Sequence, residues 1–223
     1  MRVEDFITQF RATVLDHAEP YFWADDEIVR HLNEAVQEAC ERAKLLEDRS
    51  TPAVCTVNIQ PGISTYNLHP SVLEIKRLAL RGIPLHETSI EEQDSTRPGW
   101  ELRKGVPRNW IFEPTANLGA PRIRLVPVPV EAEAIELTVQ RGALKPLDAD
   151  NGAGRPEIPE RFHTRLLDWM LYRAYSKPDA DAFDPAKAAA SLALFSQAFG
   201  DRPDANVQRK RRNRRMPVVR SSW

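Results

Sequence analysis

The side chains that could hold a metal ion or transfer a proton are few in this sequence. Glu27, His31 and Glu34 stand four and three residues apart, a spacing that places them on one face of a helix and suits a metal pair. The same residue types are typical of the solvated outer face of an amphipathic helix, and we favour that interpretation. No metal site is therefore predicted here.

Two other candidates lack the partners that their chemistry requires. Asp148-Ala-Asp150-Asn151-Gly152 resembles the start of a calcium loop, but the glycine comes one place early and Pro159 stands at the twelfth position, where glutamate is needed. His163 could act as a base, yet no serine, cysteine or carboxylate is tied to it by spacing. We interpret the first as a polar turn and His163 as a surface or interhelix packing residue.

Catalytic and nucleotide-binding motifs are absent from the sequence. It has 9 glycines and contains no GxGxxG, GxxxxGK[ST], HExxH or GxSxG. Cys40 and Cys55 form no CxxC or Cys/His spacing, so neither a disulfide framework nor a zinc site is predicted. We expect a protein that is not an enzyme and needs no cofactor. A hydrolase with a cleft around His31 or His163 is the rival interpretation.

Composition is typical of a globular protein, with 42% hydrophobic and 28% charged residues among 223. No run of about 18 uncharged apolar residues occurs, and the N-terminus carries acids where a signal peptide needs a basic start. We therefore expect no membrane association and synthesis in a reducing cytoplasm.

The net charge of −1 conceals an uneven distribution along the chain. Residues 1–205 contain 24 of the 31 basic residues and all 32 acidic ones, and so carry about −8. The segment 206–223 carries +7, from Arg209, Lys210, Arg211, Arg212, Arg214, Arg215 and Arg220. Such asymmetry is typical of an interaction arm.

Apolar residues follow the basic run in this tail, namely Met216, Val218, Val219 and Trp223. A tail that only solubilises has no use for them, whereas such a segment can pair with a sheet edge or fill a pocket. Two alternatives stay open: a solvated, disordered appendage and a nucleic-acid-binding arm whose basic residues hold phosphates.

Hydrophobic spacing predicts four helices, two before and two after a central segment. The first covers 3–16, and the second covers 25–47 with acids at its N-terminus. The third begins at Phe162 and ends near Lys177-Pro178. The fourth begins with Asp184 as N-cap and Pro185 as first helical residue, and it ends at Gly200.

Between Pro52 and Lys145 the hydrophobic period changes to two, with one helical turn expected at 89–95. The strand candidates are 54–59, 73–80, 108–112, 122–126 and 134–140. Frequent prolines favour short antiparallel strands. Trp23, Trp100, Trp110 and Trp169 suit core or hinge positions, with Trp100 and Trp110 as possible interface anchors.

These elements predict an α+β fold. A bundle of about four helices, formed by residues 1–50 and 158–200, carries an inserted antiparallel β domain at 51–157. An extended basic C-terminal tail covers 201–223.

The order of elements and four phrases resemble the head-to-tail adaptor, or gateway, proteins of short-tailed and related tailed bacteriophages. The resemblance covers about residues 1–200, and none of the phrases is a catalytic signature. They are PYFWADDEIVRHLNEAVQEACERAKLL (20–46), QPGISTYNLHPSVLEIKRLAL (60–80), IRLVPVPVEAEAIELTV (123–139) and IPERFHTRLLDWMLYRAY (158–175).

This resemblance implies a structural virion protein at the head–tail junction. It implies a homo-oligomeric, typically dodecameric ring beneath the portal, which continues the channel used in DNA ejection. The implied partners are the portal protein, the tail nozzle or other tail proteins, and genomic DNA that passes without sequence-specific contact. Family members often send a C-terminal arm along or between portal subunits. The corresponding portal-binding residues here would be Arg209, Lys210, Arg211, Arg212, Arg214, Arg215, Val218, Val219 and Trp223.

Overall fold

The computed structural model describes residues 1–114, 120–179 and 181–202. In these residues the chain is a mixed α+β structure with six α-helices and nine strands, which confirms the predicted class. The chain divides into two compact units. Unit 1 contains Met1–Glu47 and Gln140–Arg202, and the described part of unit 2 lies within Asp48–Val139. Residues 140–157, which the sequence analysis assigned to the inserted domain, are in unit 1.

The elements are numbered in chain order. The helices are α1 (Val3–Val14), α2 (Asp25–Ala43), α3 (Pro52–Cys55), α4 (Ile90–Thr96), α5 (His163–Tyr175) and α6 (Pro185–Phe199). The strands are β1 (Leu46–Asp48), β2 (Thr56–Ile59), β3 (Thr65–Asn67), β4 (Val72–Leu80), β5 (Ile83–Pro84), β6 (His86–Glu87), β7 (Asn109–Glu113), β8 (Arg122–Val126) and β9 (Glu133–Arg141). None of the described helices is both long and apolar enough to cross a membrane.

Unit 1 is built from α1, α2, α5 and α6, which pack around one apolar core. Each helix contributes side chains at a spacing of three or four residues, so they lie along one face. The largest fully buried ones are Phe6, Phe10, Ile28, Leu32, Leu166, Met170 and Phe195. The predicted limits of α6 are confirmed, since Asp184 Oδ1 accepts from the N–H groups of Ala186 and Lys187 at 3.1 and 3.0 Å.

The second helix is shorter than predicted. It ends at Ala43, where Lys44 adopts a left-handed conformation with φ 49°, and the chain then enters β1. Hydrophobic spacing did not reveal this end, because Leu46 continues the helical stripe while it pairs with a sheet in the folded chain.

Unit 2 contains α3, α4 and most of two sheets, whose strands β1 and β9 extend by two residues each into unit 1. One sheet has the order β1-β9-β4-β5, with β2 also paired to β9, and the other has the order β3-β8-β7-β6. The predicted strands 73–80, 108–112, 122–126 and 134–140 are confirmed to within one residue at each end. The pairs β2–β9, β3–β8, β4–β5 and β7–β8 are antiparallel, as expected, but β6 and β7 are parallel.

The predicted strand 54–59 is wrong in its first two residues, which belong to α3. The buried Asp48 carboxylate accepts hydrogen bonds from the N–H groups of Ser50 and Thr51 at 2.9 and 3.1 Å, which turns the chain before Pro52. Pro52 then occupies the first helical turn, where its fixed φ is favourable. The strand therefore begins only at Thr56.

Leu166 tests the core of unit 1, because its side chain is fully buried between helices. We expect Leu166→Ala to lower the free energy of unfolding by about 2–5 kcal/mol, through lost burial and a residual cavity. Leu194→Ala is the matched control, since Leu194 on α6 is 45% exposed and should change stability by no more than about 0.5 kcal/mol. Denaturant titration measures both, and equal effects would contradict the packing of α5.

Candidate assembly surface

The predicted tail residues lie outside the described part of the chain. These are Arg209, Lys210, Arg211, Arg212, Arg214, Arg215, Val218, Val219 and Trp223. The point from which the tail starts is well defined. Arg202 Nη2 lies 2.8 Å from Glu41 and 3.3 Å from Glu38, both on α2.

Arg42 holds the C-terminal end of α6 beside the same part of α2. Its Nη1 donates to Ser196 Oγ at 3.0 Å and to the Gly200 carbonyl at 3.1 Å. Its Nε donates to Glu38 at 2.8 Å, and its side chain is only 7% exposed. The chain therefore leaves unit 1 from a fixed position.

Both carboxylates of the possible metal pair on α2 are held in ion pairs. Glu27 pairs with Lys177 and Arg30, and Glu34 pairs with Arg173. No group of three His, Cys, Asp or Glu residues within the described ranges is placed to hold a metal ion. The interpretation of His31 as an outer-face residue is wrong, because α5 packs beside α2 and leaves the imidazole only 5% exposed.

His31 is a buried histidine without hydrogen-bond partners among the described residues. Its ring lies 6.3 Å from the Trp23 ring. Burial lowers the pKa of His31 to about 4, and Arg173, Arg30 and Lys177 act in the same direction against the opposing effect of Glu27. The imidazole is therefore neutral at pH 7.

The other two candidates from the sequence are structural. His163 is buried, with Nε2 2.9 Å from the Ile158 carbonyl and Nδ1 3.0 Å from the Met1 nitrogen, and this confirms a packing role. Asp148 Oδ1 accepts the Asp150 N–H at 3.1 Å, which closes the predicted polar turn.

Trp100 and Trp110 lie in the core of unit 2, each 3% exposed. Trp100 packs with Ile111 and Val126, and its Nε1 donates to Asp94 at 2.8 Å. Trp110 Nε1 donates to the Leu85 carbonyl at 3.3 Å. Burial leaves these rings no surface to offer a partner in this structure, and their role as interface anchors stays a prediction.

Unit 1 instead exposes apolar side chains at the end opposite to Arg202. We call this end the tip, formed by residues 15–27 from the end of α1 into the first turn of α2, and by the described residues 176–179 and 181–184 between α5 and α6. Lys177 joins the two segments, since its Nζ lies 3.1 Å from Glu27 and 4.5 Å from the centre of the Trp23 ring. The exposed side chains are Leu15, Tyr21, Phe22 and Phe183. Helical periodicity did not identify them, because they lie in loops.

The first tip segment is held in place by a nearly buried carboxylate. Asp16 accepts hydrogen bonds from the N–H groups of Phe22 and Trp23 at 3.0 and 3.1 Å, and from Arg11 Nη1 at 2.9 Å. Its side chain is 9% exposed. This carboxylate closes the loop so that the Phe22 ring stands on an ordered backbone.

Arg11 completes the same network. Its Nη2 donates to the Trp23 carbonyl at 2.9 Å and to Asp25 at 2.6 Å, and its guanidinium lies 3.7 Å from the centre of the Tyr21 ring. A planar group with several donors can satisfy these contacts at once, which a lysine cannot do. The tip is thus pre-organised for contact.

Leu15 is strained as well as exposed. It ends α1 in the left-handed region, with φ 62° and ψ 30°, a position usually taken by glycine or asparagine. Its side chain is 77% exposed. A leucine here therefore contributes nothing to the core and carries a conformational cost of about 1–2 kcal/mol.

Comparison with known proteins identifies the family. The profile of the SU10 adaptor protein family matches residues 1–221. The chain belongs to the SU10 adaptor protein family. No curated protein matches it.

Membership of this phage head–tail adaptor family confirms the predicted role as a phage adaptor and structural protein. The adaptor is accordingly a virion component, and its family implies association with portal and tail proteins. The family is a structural one and is not known for an enzymatic activity. The short-tailed type, the ring and the grip on the portal stay predictions.

Leu15 gives a test of strain in the adaptor. Leu15→Gly should raise the free energy of unfolding by roughly 0.5–1 kcal/mol, because relief of the left-handed leucine outweighs the extra backbone entropy of glycine. Thermal unfolding should then show a melting temperature about 2 °C higher. Leu15→Ala is the control, since alanine removes the exposed side chain but keeps the strain. A glycine variant less stable than the alanine variant would contradict this account.

His31 gives a test of pH dependence. Because its folded-state pKa of about 4 lies below the usual value near 6.5, the unfolded chain binds the proton more readily between these values. The wild type should therefore lose stability relative to His31→Leu as the pH falls from about 6.5 to 4, by up to about 1 kcal/mol per pH unit. Denaturant titrations at several pH values measure the difference. His17→Leu, at an exposed histidine, is the control and should follow the wild type.

Proposed function

We propose that the adaptor forms a dodecameric ring beneath the portal of a short-tailed phage, where it joins the DNA-filled head to the tail. The ring continues the DNA channel, and the C-terminal segment 206–223 of each copy binds the portal protein. The ring and its position rest on the resemblance to head-to-tail adaptors and on membership of an adaptor family.

The observation that carries the portal contact is the separation of charge in the sequence. Residues 1–205 carry about −8 and residues 206–223 carry +7. The arginines of the tail suit acidic groups on a partner. Val218, Val219 and Trp223 add apolar contacts that arginine cannot supply.

The length of the tail suits this task. Eighteen extended residues at about 3.3 Å each reach roughly 60 Å. Arg202, four residues before this segment, forms ion pairs with Glu38 and Glu41 on α2, so the chain approaches the segment from unit 1.

A truncated chain tests the portal contact. A chain ending at Asp204 keeps Arg202 and every described element, so we expect it to unfold with the cooperativity and midpoint of the full chain. It should not bind purified portal protein in a pull-down or by mass measurement. Normal portal binding by this truncated chain would overturn the proposed role of the tail.

Matched full-length variants separate the two kinds of tail contact. Replacement of Val218, Val219 and Trp223 by serine keeps all seven positive charges and should weaken portal binding at every salt concentration. Replacement of the arginines at 209, 211 and 212 by lysine also keeps the charge but removes two-pronged hydrogen bonding to carboxylates, and it should weaken binding less.

Nucleic-acid binding is the second candidate, and it is favoured by the seven positive charges without an acid in 206–223. If all seven contact phosphates of duplex DNA, the logarithm of the binding constant should fall against the logarithm of salt concentration with a slope of about −6. A slope near zero for the full chain, together with portal binding, would exclude this function for the tail.

A further inference from the structure

The tip of unit 1 has four large apolar side chains that the described residues leave uncovered. Leu15 is 77% exposed, Phe183 57%, and Tyr21 and Phe22 44% each. Contiguous apolar surface is typical of interaction sites, and three of these side chains, Leu15, Tyr21 and Phe22, lie within eight residues of one segment. The strain at Leu15 strengthens this interpretation, because glycine would be the better residue there if the side chain had no contact to make.

Carboxylates are frequent in the same two segments. The ranges 15–27 and 176–184 contain eight acidic residues and one lysine, Lys177. Four of the acids are engaged by Arg11, Arg30, Lys177 or Lys187. The other four make no ion pair within the described residues, and they are Glu19, Asp26, Asp179 and Asp181. The tip therefore combines apolar contact area with uncompensated negative charge.

A partner that fits this surface must be basic and must carry apolar side chains. The chain itself contains such a segment in 206–223, with seven positive charges, no acid, and Met216, Val218, Val219 and Trp223. We propose that, as long as no portal protein is bound, the tip of one copy binds the C-terminal segment 206–223 of a second copy. The two contact surfaces differ, so the interface is head-to-tail, which is the kind that forms a ring when the rotation between copies closes.

The proposal rests on the proposed function in one respect, namely that copies lie side by side in a ring. The distances permit the contact. The tail starts near Arg42, at the C-terminal end of α2, and the tip lies at the N-terminal end of the same helix, about 28 Å away for 19 residues. The 21 residues from Pro203 to Trp223 reach roughly 70 Å when extended, which is enough to cross to a neighbour.

Both kinds of contact are needed for a stable complex. Exposed ion pairs contribute little each and are screened by salt, so charge alone would give a weak, salt-sensitive contact. Leu15 and Phe22 supply apolar area that salt does not weaken. The tip should therefore bind the tail with an affinity that falls with salt but does not disappear.

The first experiment uses the full chain alone, without portal protein. Sedimentation velocity from 1 to about 100 μM at low salt should show concentration-dependent association of the wild type. The double variant Leu15→Gly/Phe22→Ser should associate at least about tenfold more weakly, while its melting temperature stays close to that of the wild type. Leu194→Ser, an exposed leucine on α6 outside the tip, is the matched control and should associate as the wild type does. A wild type that stays monomeric over this range overturns the proposal.

Charge reversal tests the pairing of the two surfaces. The tip variant is Glu19→Lys/Asp26→Lys, and the tail variant is Arg211→Glu/Arg214→Glu. Each alone should associate poorly, whereas the chain that carries all four changes should recover association. Unchanged association of either variant alone would show that another surface is responsible and overturn the proposal.

Mixing the two variants shows whether the tail bound at a tip comes from a second copy or from the same copy. The tip variant retains a normal tail and the tail variant retains a normal tip, so a mixture should form a 1:1 complex. Absence of that complex, with recovery only in the chain that carries all four changes, would place the tail on its own tip and overturn the contact between copies.

Portal binding is read separately in the same variants. The tip variant retains its tail and is expected to bind the portal protein, even though it no longer self-associates. Portal binding by the chain that ends at Asp204 would overturn the proposed function. It would leave the self-association data unaffected. The two proposals therefore fail by different results.

Discussion

Burial of one face of α2 is the interaction on which unit 1 depends, because α1, α5 and α6 all contact this helix. Its fully buried residues are Ile28, Leu32, Ala35, Ala39 and Cys40. The two ends of α2 carry the features of functional interest. The N-terminal end supports the tip through Asp25, and the C-terminal end binds Arg202, where the tail begins. A regular helix is stiff, so the distance between these points is set by the length of α2.

Two arginines with nearly buried side chains, one near each end of α2, each donate hydrogen bonds to several groups. Arg11 gathers a carbonyl and two carboxylates at the tip, and Arg42 gathers a carbonyl, a hydroxyl and a carboxylate at the end of α6. Hydrogen bonds to charged groups are stronger than neutral ones, and a guanidinium directs several at once. At these two places charge fixes a loop and the end of a helix.

Secondary structure was predictable where a periodic apolar pattern decided it. Strand β8 and the caps of α6 agree with the sequence because alternation and the Asp184-Pro185 signal are local. Local patterns failed where distant segments compete for the same residues. Leu46 fits a helical stripe but pairs with a sheet, and β6 lies parallel to β7 although prolines favoured antiparallel strands. The burial of His31 could not be predicted, because polar residues neighbour it on α2. Only the position of α5 decides which of these polar residues are buried.

The amino-acid sequence by itself determined the α+β class, the absence of catalytic motifs, the opposite charges of body and tail, and the resemblance to head–tail adaptors. These properties depend on composition, order and local spacing, which a single chain displays directly. Only the tertiary structure decided that Trp100 and Trp110 are core residues, that Arg202 pairs with a carboxylate of α2, and that Leu15, Tyr21 and Phe22 are exposed on one ordered segment. The reason is physical: exposure and proximity arise from packing between segments far apart in sequence, and no local pattern encodes them.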